Sequence, residues 1–272
     1  MRHDIDVQAI WDRLTTSASA GDEGGARTPF APDAFTVLPQ VGSTNAYLAE
    51  HPTMWAPVIA EHQGEGRGRL GRTWREVPRA GIAMSVLVPA PPAQRIGWLP
   101  LLAGLAVHDA LARQGLATEV KWPNDVLVPS ADDAKVCGVL AELRPEGVIV
   151  GIGINVDHSR EELPVPTATS VRLALGSAPR REPIIADVLA GLAGYHEALR
   201  GDGPALSAAQ RAYRSVSATI GASVEVHRPG REPERVQALD VDASGGLMVR
   251  GVGGSDTVTA GDVQHIRRVT DV

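Results

Sequence analysis

Between Gly64 and Trp74 the chain reads Gly-Glu-Gly-Arg-Gly-Arg-Leu-Gly-Arg-Thr-Trp, glycine alternating with arginine and closing on a tryptophan. Glycine has no Cβ, so such a backbone can turn sharply and come close to a ligand. Arginine carries a planar fork of donors that matches carboxylates and phosphates. The tryptophan adds a flat face for a ring. The stretch therefore has the parts needed to hold an anionic, nucleotide-like molecule. It is not a Walker loop, because no Gly-Lys-Ser/Thr follows, and its spacing is not the dinucleotide fingerprint. Alone, it reads equally as a flexible basic loop or as an RGG-like nucleic-acid segment.

Four other clusters accompany it. Gly42-Ser43-Thr44-Asn45 lies upstream; downstream come Lys121-Trp122-Pro123-Asn124-Asp125, then Lys135-Val136-Cys137-Gly138-Val139-Leu140-Ala141-Glu142, then Gly151-Ile152-Gly153-Ile154-Asn155-Val156. In this order the set resembles the biotin–protein ligases, which attach biotin to carboxylases, and the resemblance runs from about Val37 to Val269.

The chemistry that this resemblance implies is specific. Biotin presents a carboxylate, an apolar bicycle and a ureido group, and ATP-dependent adenylation brings the carboxylate against the α-phosphate. Two anions must meet, so positive groups are the essential catalytic parts and no protein nucleophile is needed. The resemblance puts Arg69 beside the carboxylate and phosphate and Lys135 in contact with both reacting groups. Read by itself, Lys135 is an ordinary surface lysine at the start of a strand. Arg67 would brace the loop and help hold the adenylate, with Gly66, Gly68 and Arg72 around it. Arg72 and Arg75 also read as merely solvated, and for Arg75 that reading is preferred.

Ser43, Thr44, Asn45 and Gln63 suit the ureido end, whose carbonyl and two N–H groups need short hydroxyl and amide partners. Ser43 and Thr44 read equally as a helix cap, and both roles are compatible. Backbone at Gly138 would complete the pocket floor. For the nucleotide, Trp74 would cover the adenine and Asn155 read its edge, a hydrophobic plug being the rival role for Trp74. Lys121 and Asn124 suit the triphosphate side. Asp125 has three open roles: orienting a lysine, binding Mg²⁺ through water, or capping a turn. Mg²⁺ is expected because it bridges ATP phosphates, usually with few protein ligands, and no metal ligand is assigned. The transfer step needs a base for the acceptor lysine, for which Asp125 is the one weak candidate. Two departures from the family pattern stand out. Glu65 adds a negative charge to the loop, which is expected to point to solvent, and Pro129 to Ala134, with Asp132 and Asp133, lengthens the approach to Lys135.

Bulk properties bound the rest. The 272 residues allow one large domain and a small one, and 43% hydrophobic content is ordinary for a globular chain. A net charge of −6 argues against a general DNA-binding surface, while Arg67, Arg69, Arg72 and Arg75 concentrate positive charge in one place. Cys137, the single cysteine, excludes an intrachain disulfide, fits a reducing compartment, and reads as a small core residue. The first residues show no signal-peptide pattern, and the longest apolar run, Ile96 to Val107, is too short to span a bilayer. A cytoplasmic protein is expected.

The elements that must position these residues follow from periodicity. Val7, Ile10, Trp11 and Leu14 predict a short amphipathic helix, followed by a linker from Thr15 to Pro32. Strands are predicted at Phe35–Pro39, Pro57–Glu61, Ile82–Val88, Glu119–Trp122, Val126–Val128, Val136–Leu143 and Val148–Val156, and helices at Ser43–Glu50, Arg95–Gln114, Ile184–Leu199 and Ala205–Ser215. Strands cluster in runs, so the class is α+β. From Ala222 to Val269 five short apolar runs separated by turn signals predict a small barrel, and the resemblance makes it SH3-like, behind a mixed-sheet catalytic domain of the biotin/lipoate ligase type. The division is 1–34, a short helix and flexible linker; 35–218, the biotin- and ATP-binding domain; and 219–272, the C-terminal domain.

Three rivals differ in what they require. A lipoate–protein ligase shares the adenylate logic but lacks the combined Gly/Arg and Lys-Trp-Pro-Asn-Asp set. A ligase that is also a repressor carries an N-terminal winged helix, which the Gly-, Ala- and Asp-rich opening does not fit. An inactive binding module has no need of both Arg69 and Lys135. The implied acceptor is the biotin carboxyl carrier domain of an acyl-CoA or pyruvate carboxylase, with no membrane and no specific DNA partner. Monomer and homodimer both remain open. The glycine-rich loop is expected to be mobile when empty and to order around the adenylate.

Overall fold

The computed structural model describes residues 2–19, 28–201, 203–228, 230 and 232–259, and the backbone of 265–268. The chain opens with α1 (Val7–Ser19). Thr15 to Ser19 belong to this helix and not to the expected linker. The Thr15 and Thr16 hydroxyls donate back to carbonyls about one turn earlier, including that of Asp12, so their polar groups are satisfied within the helix. The rest of the expected linker falls largely outside the described residues. Ile10 and Leu14 are buried in the main core.

Seven strands then build one mixed sheet: β1 (Thr36–Leu38), β2 (Val58–Ala60), β3 (Gly81–Val88), β4 (Glu119–Lys121), β5 (Asp125–Val128), β6 (Ala134–Arg144) and β7 (Gly147–Asn155). Their order is β1-β2-β3-β7-β6-β5-β4. The β1–β2 pair is parallel. The other pairs are antiparallel. Each predicted strand is present, within a residue or two at its ends.

Helices α3 (Trp98–Arg113), α5 (Arg181–Arg200) and α6 (Pro204–Ser215) pack together with α1 against one face. Residues on nearly every side of α3 are buried, including Trp98, Leu101, Leu105 and Leu111. A helix clothed in apolar residues all round belongs inside, and α3 has the sheet on one side and α5 on the other. It starts at Trp98 and not Arg95, because Ala93–Arg95 forms a separate 3₁₀ turn. Helix α2 (Thr44–Glu50) lies on the opposite face over β3 and β7. A short α4 (Val171–Leu175), capped by Ser170, escaped the periodicity; five residues are too few to show a helical repeat.

The tail forms an antiparallel sheet from β8 (Ser223–His227), β9 (Glu234–Val241), β10 (Leu247–Gly251), β11 (Gly254–Val258) and β12 (His265–Arg268), in the order β11-β10-β9-β8-β12. Its 242–246 turn docks on the catalytic part: the indole N–H groups of Trp98 and Trp122 donate to the carbonyls of Asp242 (2.9 Å) and Gly245 (3.0 Å). Trp122 is therefore buried structure as much as motif. Among the described residues, no helix is long and apolar enough to cross a membrane.

Candidate functional site

A cavity of about 1170 Å³ opens on the α2 side of the seven-stranded sheet. Its floor is made of small residues in register. Gly153 of β7 lies between Ala83 of β3 and Gly138 of β6, and Gly151 lies between Ser85 and Leu140. Side chains alternate between the faces of a strand, so these positions share one face of the sheet, and Gly138, Leu140, Gly151 and Gly153 line the cavity. They are small because other groups lie on them. A Cβ on Gly153 would fall 2.6 Å from the Trp74 ring, one on Gly151 2.2 Å from Asn45 Oδ1, and one on Gly138 2.9 Å from Lys135 Nζ.

The polar end is a closed network at the start of α2. The Thr44 backbone N–H and hydroxyl both donate to Gln63 Oε1, at 2.8 and 3.0 Å. Ser85 Oγ sits 2.6 Å from both Thr44 Oγ1 and Asn45 Oδ1. The Asn45 amide donates to Glu142 Oε2 at 2.6 Å. Asn45 thus ties α2 to β3 and β6 while lining the cavity. Ser43 caps α2, its Oγ 3.5 Å from the Ala46 N–H.

The Gly/Arg segment closes over the other end as a small hairpin. Trp74 N–H donates to Gly66 O (2.8 Å) and Gly68 N–H to Arg72 O (2.7 Å), around a 3₁₀ turn at Arg69–Gly71. This presents Trp74 flat on the glycine floor, and Arg69 is directed inward, its Nη1 3.5 Å from Asn124 Oδ1. Burial pulls the Arg69 guanidinium below its ordinary value, with Asp125 opposing and Arg72 adding to the effect. Lys135 Nζ lies 2.6 Å from Asp125 Oδ1 and 5.6 Å from the centre of the Trp74 ring. Of the three roles open to Asp125, the geometry displays the first, pairing with a lysine. Asn124 also donates to Val139 O at 2.9 Å, which fixes its carboxamide.

Ser43, Thr44, Asn45, Gln63, Arg67, Gly68, Arg69, Arg72, Trp74, Lys121, Asn124, Lys135, Gly138 and Asn155 all line this one cavity. Gly66 does not; it is buried within the hairpin, against the Trp74 carbonyl. Arg75, expected to be solvated, is exposed yet lines the cavity. Asn155 is buried and donates to Thr169 O at 3.0 Å. Glu65 is exposed, as expected. Asp132 and Asp133 both take left-handed backbone and line the cavity. Cys137 is buried, and burial pushes its thiol up, away from reactivity.

Gly151, Gly153 and Glu142 lie inside the sequence motifs without a role assigned to them, and Ser85 lies outside those motifs. The alternation Gly-Ile-Gly-Ile in β7 was a usable signal, since only one face of a strand then lacks side chains. Ser85→Ala removes one buried partner from the Thr44–Asn45 network, which costs about 1 kcal/mol. If the network holds biotin, the expected result is a KM for biotin about fivefold higher with little change in kcat, measured by steady-state exchange kinetics.

Comparison with known proteins places the chain. The sequence profile of the Biotin/lipoate A/B protein ligase family matches residues 37–159. The biotin–[acetyl-CoA-carboxylase] ligase of Mycobacterium tuberculosis is 42% identical over 98% of this chain and 98% of its own length. The bifunctional ligase/repressor BirA of Bacillus spizizenii is 37% identical over 48% of this chain and 43% of its own. The crystallised biotin protein ligase of Aquifex aeolicus, in complex with biotin and ATP, superposes with a TM-score of 0.73 at 27% identity, covering 86% of this chain and 99% of that one. The chain belongs to the biotin–protein ligase family.

Proposed function

We propose that the chain activates biotin with ATP to biotinyl-5′-AMP and transfers the biotinyl group to a lysine of a biotin carboxyl carrier domain. The observation that carries this reading is the convergence of Arg69, Asn124 and the Lys135–Asp125 pair between the polar Thr44–Gln63 network and the Trp74-covered floor. Biotin lies with its ureido group toward Ser43, Thr44 and Gln63, and its carboxylate toward Arg69 and Lys135. The carboxylate oxygen attacks the α-phosphorus and pyrophosphate leaves. Arg69 and Lys135 offset the charge that builds at the pentacoordinate phosphorus. Asp125 orients Lys135. Trp74 covers the adenine, and Lys121 and Asn124 face the polyphosphate, which brings Mg²⁺ with it as part of the substrate. The acceptor amine then attacks the mixed anhydride and AMP leaves.

Biotin is favoured over lipoate on physical grounds. The dithiolane of lipoate has no carbonyl or N–H to offer Ser43, Thr44 and Gln63, so it would cover that polar end without adding a hydrogen bond to it, which a ureido group can do. A ligase without repressor activity is the reading favoured here, because relatives matched over nearly their whole length, from Mycobacterium tuberculosis and Paracoccus denitrificans, are named ligases alone. A cytoplasmic setting suits the chemistry.

The test is ATP–pyrophosphate exchange with purified protein, comparing biotin with lipoate. Exchange that requires biotin and stays silent with lipoate supports the assignment. Exchange with lipoate alone moves the chain to the lipoate side of the family, and exchange with neither makes it a binding module.

A further inference from the structure

The adenylation reading gives residues 2–6, ahead of α1, no task, yet polar groups from three parts of the fold hold them in place. Ile5 N–H donates to Glu61 Oε1, just after β2, at 2.6 Å. Asp6 N–H donates to Glu182 Oε1 at 3.2 Å, and the His3 carbonyl accepts from Arg181, both at the start of α5. Arg181 is itself paired with Glu61 at 2.8 Å, and both side chains are buried. Asp4 pairs with Arg79, shortly before β3. Ile5 is part of the main core. Residues 2–6 are thus a strap with fixed anchors, able to hold another segment in turn.

What the strap holds is the segment between β7 and α4. Arg2 forks onto two carboxylates. Its Nε lies 3.1 Å from Asp157 Oδ2, and its Nη1 and Nη2 lie 3.1 and 2.6 Å from the two oxygens of Glu162. Nη2 also donates to the Asp157 carbonyl at 2.6 Å. Glu162 accepts from the Ser159 N–H as well, at 2.9 Å, so one guanidinium closes the turn from 157 to 162. Two residues further on the chain joins the cavity wall, which Pro164, Val165, Thr167 and Ala168 line. The same stretch is bonded to two residues of the site. Lys135 N–H donates to Thr167 O at 2.8 Å and Thr169 N–H to Lys135 O at 2.9 Å, while the Asn155 amide donates to Thr169 O at 3.0 Å.

We propose that Arg2 is a positioning residue for ATP: from the strap it fixes the 157–162 turn and, through that turn, the 164–169 stretch of cavity wall beside Lys135 and Asn155. The proposal rests on the reading that Lys135 and Asn155 face the nucleotide. Arg2 is not among the residues that line the cavity, so it acts through the wall and not on the substrate. A planar guanidinium bonded to both oxygens of a carboxylate fixes direction as well as charge. The hydrogen bonds from Arg2 and from the Ser159 N–H pull the Glu162 carboxyl down to about 2. A lowered folded value means that the charged pair stabilises fully above the ordinary carboxylate range and is lost as pH falls through about 2. The brace is therefore intact throughout the range in which the enzyme is assayed. Arg2 and both carboxylates are partly exposed, which keeps the expected effect moderate.

The test compares wild type with Arg2→Ala, Glu162→Gln and the double variant, any purification tag being placed at the C-terminal end. Each is measured by biotin-dependent ATP–pyrophosphate exchange and by hydrogen exchange at the Lys135 and Thr169 amides. Glu162→Gln keeps an oxygen for the Ser159 N–H while removing the charge that Arg2 holds. Each single variant should raise the KM for ATP about fivefold, with the KM for biotin and kcat within about twofold of wild type. The double variant should be no worse than either single one, whereas independent effects would multiply to about 25-fold. The rise should keep the same size from about pH 6 to about pH 9. The two amides should exchange at least about fivefold faster in Arg2→Ala. An unchanged KM for ATP in Arg2→Ala, a multiplied effect in the double variant, or an equal rise in both KM values with a lowered melting temperature overturns the proposal. If the wild type shows no biotin-dependent exchange, the functional reading fails and hydrogen exchange alone decides the brace. Faster exchange of the Lys135 and Thr169 amides in Arg2→Ala then supports it, and equal rates sink it.

Discussion

Lys135→Ala should lower kcat for biotin-dependent ATP–pyrophosphate exchange by about 10³-fold, with a much smaller change in the KM for biotin. The lysine lines the same cavity as the polar network and Arg69. It is held there by Asp125 at 2.6 Å and flanked by the Trp74 ring. A donor aimed at charge that develops only in the transition state shows its loss in kcat, and removing one such group costs about 10²- to 10³-fold. The backbone of Lys135 makes its own contacts, its N–H donating to Thr167 O at 2.8 Å and its carbonyl accepting from Thr169 N–H at 2.9 Å. The strand should therefore survive truncation, and thermal melting of the variant checks this. A folded variant with full exchange activity would remove Lys135 from the mechanism.

Gly66→Ala should be the most damaging single methyl in the hairpin. A Cβ there would lie 2.4 Å from the Trp74 carbonyl oxygen. That oxygen is backbone, and the two residues are already drawn together by the Trp74 N–H to Gly66 O hydrogen bond at 2.8 Å. The strands of the hairpin must separate, which moves Trp74 and Arg69 together. A displacement of about 1 Å at catalytic groups costs about 10²-fold, so kcat/KM for both biotin and ATP should fall by that order while the melting temperature changes little. Exchange kinetics within threefold of wild type would mean that the hairpin's register does not set the position of Arg69.

Much of this was legible in the residues, for reasons that can be named. Strands such as β3 and β7 are runs of β-branched and aliphatic residues bounded by turn signals, and hydrophobic patterning is the strongest local cue a chain carries. The Gly/Arg segment, Lys121–Asp125 and Lys135 stood out because their order along the chain resembles one family's motif set; Lys135 alone reads as an ordinary surface lysine. The glycine floor was harder to see. Gly138, Gly151 and Gly153 matter together only because β6 and β7 pair in one register, with Gly138 opposite Gly153, and register is a long-range property. Ser85 is a single hydroxyl in an apolar strand, and its value comes from Thr44 and Asn45, some forty residues earlier. The N-terminal helix was seen as an amphipathic segment, but its docking on α5 through Arg13 and the buried Asp187, at 2.7 Å, joins residues that no local pattern links.

The measurement that bears most directly on the whole account is transfer itself. An apo biotin carboxyl carrier domain is incubated with the chain, biotin and MgATP, and its intact mass is followed. The account predicts that the carrier gains one biotinyl group on its acceptor lysine, only when both biotin and ATP are present, and that Lys135→Ala abolishes the gain. A carrier that stays unmodified under these conditions, or one that is lipoylated when lipoate replaces biotin, would contradict it.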